Sequence, residues 1–238
     1  MKHILFIIIL LPLTILSQTV LLEEYPGKDT IPEKKGPNRK YFHHLYLGIG
    51  SFVDQIESNQ AKILYTTSNN FVFGFKYKYK LSNTFSFGWD LYLLTDNYKF
   101  KQDTSKTFPD TLIHKRAKLL LTNLGGDIYF RINFGKHGNT LGKFIDIAPY
   151  GTLICSSNYI TIDKFDSNNS SLNYAGKIKT EYSNLDYIDL LQYGVRISIG
   201  IERFTLNFSY RLSDYIKSKY SGYPELPRFS ASIQIALY

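Results

Sequence analysis

A period-two alternation that recurs through the chain constrains its fold more than any other feature, and it is clearest at 70–82, 84–96, 204–213 and 227–238. In the first stretch Phe71, Phe73, Phe75, Tyr77, Tyr79 and Leu81 alternate with Val72, Gly74, Lys76, Lys78, Lys80 and Ser82. A β-strand sends successive side chains to opposite faces, so one face here is aromatic and the other basic. A helix, with a period of 3.6 residues, would not sort these residues that way. Closing such a sheet on itself satisfies every backbone group, which is how a β-protein survives in a lipid bilayer.

The alternation predicts eight strands, at about 43–53, 70–81, 84–96, 118–134, 143–156, 187–201, 203–214 and 227–238. Their connections alternate in length. Tight turns at 81–84, 135–142 and 201–204 separate long connections at 54–69, 97–117, 157–186 and 215–226. Membrane barrels have this rhythm, with short periplasmic turns and long external loops. An even strand number would leave both termini on the periplasmic side.

Parity within the turns gives the register. A two-residue turn at Glu202-Arg203 pairs Ile201 with Phe204 and keeps the apolar sets of both strands on one face. Across 81–84 the apolar sets coincide only if the turn has an odd number of residues centred on Asn83, which places Lys76 opposite Asp90. With the apolar face outward, the exterior carries Phe73, Phe75, Phe85, Phe87, Trp89, Leu91, Ile128, Phe130, Ile132, Phe208, Ile233 and Ile235. Tyr77, Tyr79, Tyr193 and Tyr210 fall nearer the interfacial girdles. The interior carries Lys76, Lys78, Lys80, Asp90, Asp127, Arg131, Gln192, Arg196, Asn207, Ser209 and Arg211, with glycines 48, 50, 74, 88, 125, 126, 194 and 200 relieving crowding. A barrel of eight strands is filled by its own side chains, so this polar set reads as a plug of hydrogen bonds and ion pairs. The opposite arrangement, a soluble lipocalin-like barrel with the aromatics inward around an apolar ligand, would have to accommodate too many rings to leave room for one.

The N-terminus fits export. Met1-Lys2-His3 precedes an apolar run of about 13 residues ending at Leu16, then Ser17-Gln18. That run is short of the roughly 20 residues that a helix needs to cross a bilayer, and the pattern is that of a signal peptide cleaved after Ser17. The predicted organisation is a signal peptide at 1–17, a Pro-, Gly- and Lys-rich periplasmic tail at 18–40, and the barrel at 41–238. A single cysteine, Cys155, excludes an internal disulfide. The net charge of +8 is spread over loops and polar strand faces, not gathered on a nucleic-acid-binding module.

No catalytic, cofactor-binding or metal-binding set emerges, and the chain is expected to be non-enzymatic. His3 leaves with the signal, and His43, His44 and His137 fall at the periplasmic end. His114 alone lies in an external loop, beside Lys115 and Arg116 and without an evident partner to orient it. Asp163, Asp166 and the Ser/Asn run at 167–171 read as a solvated loop.

The last third carries a resemblance. The segment GVRISIGIERFTLNFSYRLSDYI, a Pro-bounded loop and the closing strand RFSASIQIALY resemble the small Bacteroidota-type outer-membrane β-barrel proteins, the PorT-like members among them. That resemblance implies an integral outer-membrane protein, in contact with outer-membrane lipid and inserted by the barrel-assembly machinery. It also raises association with a secretion apparatus, type IX in the PorT-like members. One departure stands out: Tyr238 is out of phase with Phe229, Ala231, Ile233, Ile235 and Leu237, which would normally lead to a terminal aromatic.

The expectation is therefore an all-β, eight-stranded antiparallel up-and-down transmembrane β-barrel in the cell outer membrane. It would act as a structural or partner-binding protein through its long external loops, 157–186 above all. The alternatives are a type IX secretion component, a lipid-modifying enzyme relying on His114, a narrow pore, and the lipocalin-like binder.

Overall fold

A computed structural model describes residues 36–53, 62–135, 140–165, 176–220 and 222–238. Among them the chain forms β1 (Tyr41–Phe52), β2 (Asn69–Lys80), β3 (Phe85–Phe100), β4 (Arg116–Phe134), β5 (Lys143–Phe165), β6 (Gly176–Ser183), β7 (Leu191–Ile201), β8 (Phe204–Arg211) and β9 (Phe229–Leu237). Eight of them close a ring in the order β1-β2-β3-β4-β5-β7-β8-β9, and β9 returns to pair with β1, all antiparallel. The expected eight-stranded barrel is the observed one. The ninth strand, β6, stands outside the ring and pairs with β5.

The turns adopt the expected register. Lys76 stands opposite Asp90, and beyond the pair Lys80–Ser86 the amide of Leu81 donates to the Phe85 carbonyl at 3.0 Å, leaving a three-residue turn centred on Asn83. Ile201 pairs with Phe204 across Glu202-Arg203, and Glu202 takes the positive φ of 54° that so tight a turn requires.

The largest departures from the expected boundaries lie at the long connections. β3 and β4 run on to Phe100 and start back at Arg116. β5 continues well past 156, and the expected loop 157–186 is largely a projecting β5–β6 hairpin. β-branched Ile160, Thr161 and Ile162 favour the strand there, despite the Ser/Asn-rich flanks. The stretch 187–190 is not strand; Ile188 instead bridges to Ile216 and is buried over the barrel. In the β4–β5 ladder the register shifts between Thr122 and Asn123, so Cys155 lies in a bulge.

The inside and outside of the barrel invert the usual globular arrangement. Ile128 is 69% exposed and Trp89 44%, whereas Arg131 and Asp146 are each 1% exposed. The outward side chains predicted from phase are outward, and the inward charged set is inward, which excludes the lipocalin-like alternative with its aromatic lumen. One correction concerns Gly126, which stands opposite outward Leu91 and so shares no face with inward Gly125.

Glycines inside the barrel make room for rings on neighbouring strands. A Cβ at Gly200 would sit 2.0 Å from the Phe144 ring, and one at Gly74 would sit 2.4 Å from Tyr46.

Described residues pack over both mouths. At the turn end Pro37 is buried, its carbonyl accepts from the Lys78 ammonium, and Asn38 Oδ1 accepts from Lys80 at 2.8 Å. These contacts belong to the last residues of the expected tail 18–40, whose earlier part, like the signal segment 1–17, lies outside the described residues. Tyr238 turns its ring onto inward-facing Phe42 and His44, at 5.4 and 5.8 Å between centroids. The phase departure thus has a structural reason: Leu237 takes the outward position opposite Leu45, and Tyr238 covers the mouth. At the loop end Phe52, Tyr98, Phe100, Leu119, Leu121 and Ile188 form an apolar cap.

Candidate functional site

The charged interior consists of two layers. In the lower one Asp146 accepts from Arg131 Nε at 2.6 Å, from its Nη2 at 2.8 Å, and from Lys76 Nζ at 2.9 Å. Tyr129 and Phe144 flank the cations, with the Lys76 ammonium 4.4 Å from one ring centre and the Arg131 guanidinium 3.5 Å from the other. In the upper layer Arg196 Nη1 donates to Asp127 Oδ2 at 2.8 Å and stands 3.8 Å from Asp90 Oδ2, which also accepts from the Tyr46 hydroxyl at 2.7 Å. Opposed carboxylates on β3 and β4 thereby share one guanidinium.

Above the layers lies a cavity of about 60 Å³ lined by Asn70, Asp96, Tyr150, Gln192, Arg196 and Arg211 among others. Buried polar atoms at or beside it, including Asn70 Oδ1 and Tyr92 OH, have no protein partner, so the space suits a few ordered waters. Tyr215, whose hydroxyl donates to Asp96 at 3.2 Å, joins the cavity to the apolar cap. Arg211 pins the cap from below, donating to the Leu226 carbonyl and to Glu225, each at 2.9 Å.

A second cluster sits in the β3–β4 connection. The Lys106 ammonium, its side chain 1% exposed, donates to Asp110 Oδ1 at 2.7 Å, to the Leu112 carbonyl at 2.9 Å and to the Tyr159 hydroxyl at 3.2 Å. His114 lies between two carboxylates, Nδ1 at 2.9 Å from Asp163 and Nε2 at 3.3 Å from Asp110. Partial burial pushes the Asp110 carboxyl up. Lys106 and His114 outweigh that and hold it below the ordinary carboxylate value. The sequence reading left His114 without an orienting partner and placed Asp163 in a solvated loop. The structure corrects both, because β5 extends far enough to bring Asp163 beneath the ring. With both nitrogens engaged by carboxylates, His114 is placed to clamp the connection onto β5. His43 lies outward against Phe75, His44 lies inward at the turn-end mouth, and His137 falls outside the described residues, as do Asp166 and 167–171. Among the described residues no group of three or more His, Cys, Asp or Glu could hold a metal ion.

Neither the protein-family models nor the curated proteins give a match to this chain. Among solved structures it is similar to Ail, the attachment invasion locus protein of Yersinia pestis, solved in complex with the heparin analogue sucrose octasulfate. The likeness covers 82% of this chain and 94% of that one, at 12% identity and a TM-score of 0.30.

Sequence reasoning missed Asp146, the acid on which the lower layer turns. The signal was present, since Ile145 and Ile147 flank it in strand phase. The β6 edge and the apolar cap had no comparable signal, because neither alternates over enough residues to stand out.

Proposed function

We propose that this chain is an integral outer-membrane β-barrel of a Gram-negative envelope, exported by a cleaved signal, with both termini in the periplasm and no catalytic activity of its own. One observation carries the reading: an outward belt rich in Phe, Trp, Leu and Ile surrounds a lumen in which Arg131, Asp146 and Arg196 are buried and paired. In water that arrangement exposes what should be buried, whereas in hydrocarbon both faces are satisfied.

The lumen is plugged by ion pairs and covered at both mouths, which supports a barrel that displays a surface and does not conduct. The surface it displays is the loop end. There β6 pairs with β5 alone among the described residues, and its free edge can accept an extended segment of a partner protein. Within this class, the strand pattern at 194–216 and 228–238 supports kinship with the PorT-like barrels, and with it a role beside a secretion apparatus.

The test is the mobility of the envelope fraction on a gel, unboiled against boiled. A folded membrane barrel resists detergent and shifts on heating; a soluble chain with no shift overturns the proposal. Deleting 166–183 should then spare the shift and abolish partner capture. For the secretion role, a deletion strain should retain cargo in the periplasm.

A further inference from the structure

Above the apolar belt, the outward face of the tall wall changes character. Across β3 and β4 the outward rows are Phe85–Ile132, Phe87–Phe130, Trp89–Ile128, Leu91–Gly126 and Leu93–Leu124, then Thr95–Thr122 and Asn97–Leu120, then Lys99 directly opposite Lys118. The next row continues with Lys101 and Arg116, and Lys62 reaches the same level because its carbonyl accepts from the Lys101 amide at 2.7 Å. Lys99, Lys101, Arg116 and Lys118 border a groove of about 630 Å³ whose floor is completed by Ile160 and Ile162.

The arrangement is costly by itself. Like charges directly opposite each other across a ladder destabilise it, and no carboxylate bridges Lys99, Arg116 or Lys118 among the described residues. Among the described residues Lys101 has a partly exposed contact with Asp103 at 3.6 Å, of a kind that contributes little. Among the described residues, both observations leave room for an added anion. Its height says which: at about 3.3 Å per residue and a tilt of about 40°, Lys99 stands roughly 15 Å above Leu93 along the barrel axis. A simple phospholipid phosphate lies at the edge of the hydrocarbon, below that level. A phosphorylated sugar headgroup rises to it.

We infer that the groove between the upper ends of β3, β4 and β5 binds the phosphorylated headgroup of a glycolipid in the leaflet at the loop end. This rests on the outer-membrane reading. The acyl chains lie along the belt below, and Lys99, Lys101, Arg116 and Lys118 hold the phosphates, with the guanidinium able to take two oxygens of one phosphate.

The experiment uses the full chain refolded into phosphatidylcholine vesicles with and without a minor fraction of lipid A diphosphate. Lipid A retained on the protein after extraction in mild detergent is measured, together with the temperature at which the folded gel band is lost. The expected result is selective retention of lipid A and a raised transition temperature. The variant carrying Lys99→Ser, Lys101→Ser, Arg116→Ser and Lys118→Ser should insert with unchanged mobility in phosphatidylcholine alone and lose retention by roughly tenfold or more. Equal retention by that variant, or no preference of the unaltered chain for lipid A, overturns the inference and leaves the membrane reading standing. Binding of a soluble sulfated oligosaccharide without lipid A retention overturns it also, and assigns the groove to a free polyanion. Failure to insert into either vesicle overturns both readings.

Discussion

Asp146 is where the interior is most exposed to a single substitution. Its carboxylate is 1% accessible and faces two cations, Arg131 through two hydrogen bonds and Lys76 through one. Removing one partner of a buried ion pair costs about 3–5 kcal/mol, because the remaining charge is left without compensation. Asp146→Asn keeps the shape and strands two cations instead of one, so it should fall at the upper end of that range, about 4–5 kcal/mol. Lys76→Met removes the surplus cation and leaves a neutral Arg131–Asp146 pair. Its cost should be about 1.5–3 kcal/mol, that of one charge-assisted hydrogen bond. The double variant strands only Arg131 and should be less destabilised than Asp146→Asn alone, a coupling of favourable sign. Urea unfolding in vesicles, followed through the fluorescence of Trp89, the single tryptophan, gives all three values. Should Lys76→Met cost as much as Asp146→Asn, or should the double variant be the least stable, the charge-balance reasoning is refuted.

Three further outcomes follow from the same geometry. Ile128→Arg places a charge mid-belt at a position 69% exposed; it should destabilise the inserted barrel by about 2–4 kcal/mol, where in a water-soluble barrel it would be nearly neutral, and vesicle-insertion equilibria separate the two. Gly200→Val should cost about 1–3 kcal/mol by driving a side chain into the Phe144 ring, and Phe144→Leu in the same chain should recover part of that loss in the unfolding assay. The Asp110 carboxyl, held below its ordinary value by Lys106 and His114, stabilises the β3–β4 connection at pH above about 4. That contribution is lost as pH falls through the lowered value, so amide exchange at 102–114 should accelerate in acid while the strands stay protected.

Much of the barrel was legible because period-two patterning is a local signal that the membrane environment enforces on both faces. Lys76 to Lys80 against Phe73 to Tyr79 fixes a face and a register within ten residues, and the turn parities at Asn83 and Glu202 carry that register across hairpins. The signal fails where the outward face is no longer selected to be apolar. Along 158–165 the β-branched Ile160, Thr161 and Ile162 favour a strand, but the Ser/Asn-rich flanks at 156–158 and 167–171 read as loop and masked the β5 extension. The His114–Asp163 contact depends on that extension and spans two long connections; sequence adjacency gives no hint of it. Asp146 is a different case, because its phase was readable while its partners were not: Arg131 stands directly opposite it on β4, beyond the 135–142 connection, and Lys76 reaches it from β2 across the lumen.

The unequal heights of the walls tie the site to the membrane. β3, β4 and β5 have 16, 19 and 23 residues, whereas β8 and β9 have 8 and 9. A common belt thickness accounts for the short strands, so the surplus on β3–β5 must rise clear of the hydrocarbon on one side only. On that side β6 adjoins the cationic groove through β5, since Ile160 and Ile162 of the groove pair with Glu181 and Lys179 of β6. Phosphates seated in the groove would relieve the Lys99–Lys118 repulsion beneath the hairpin, stiffening the wall from which β6 projects. Lipid binding and the capacity to receive a partner strand should therefore rise and fall together.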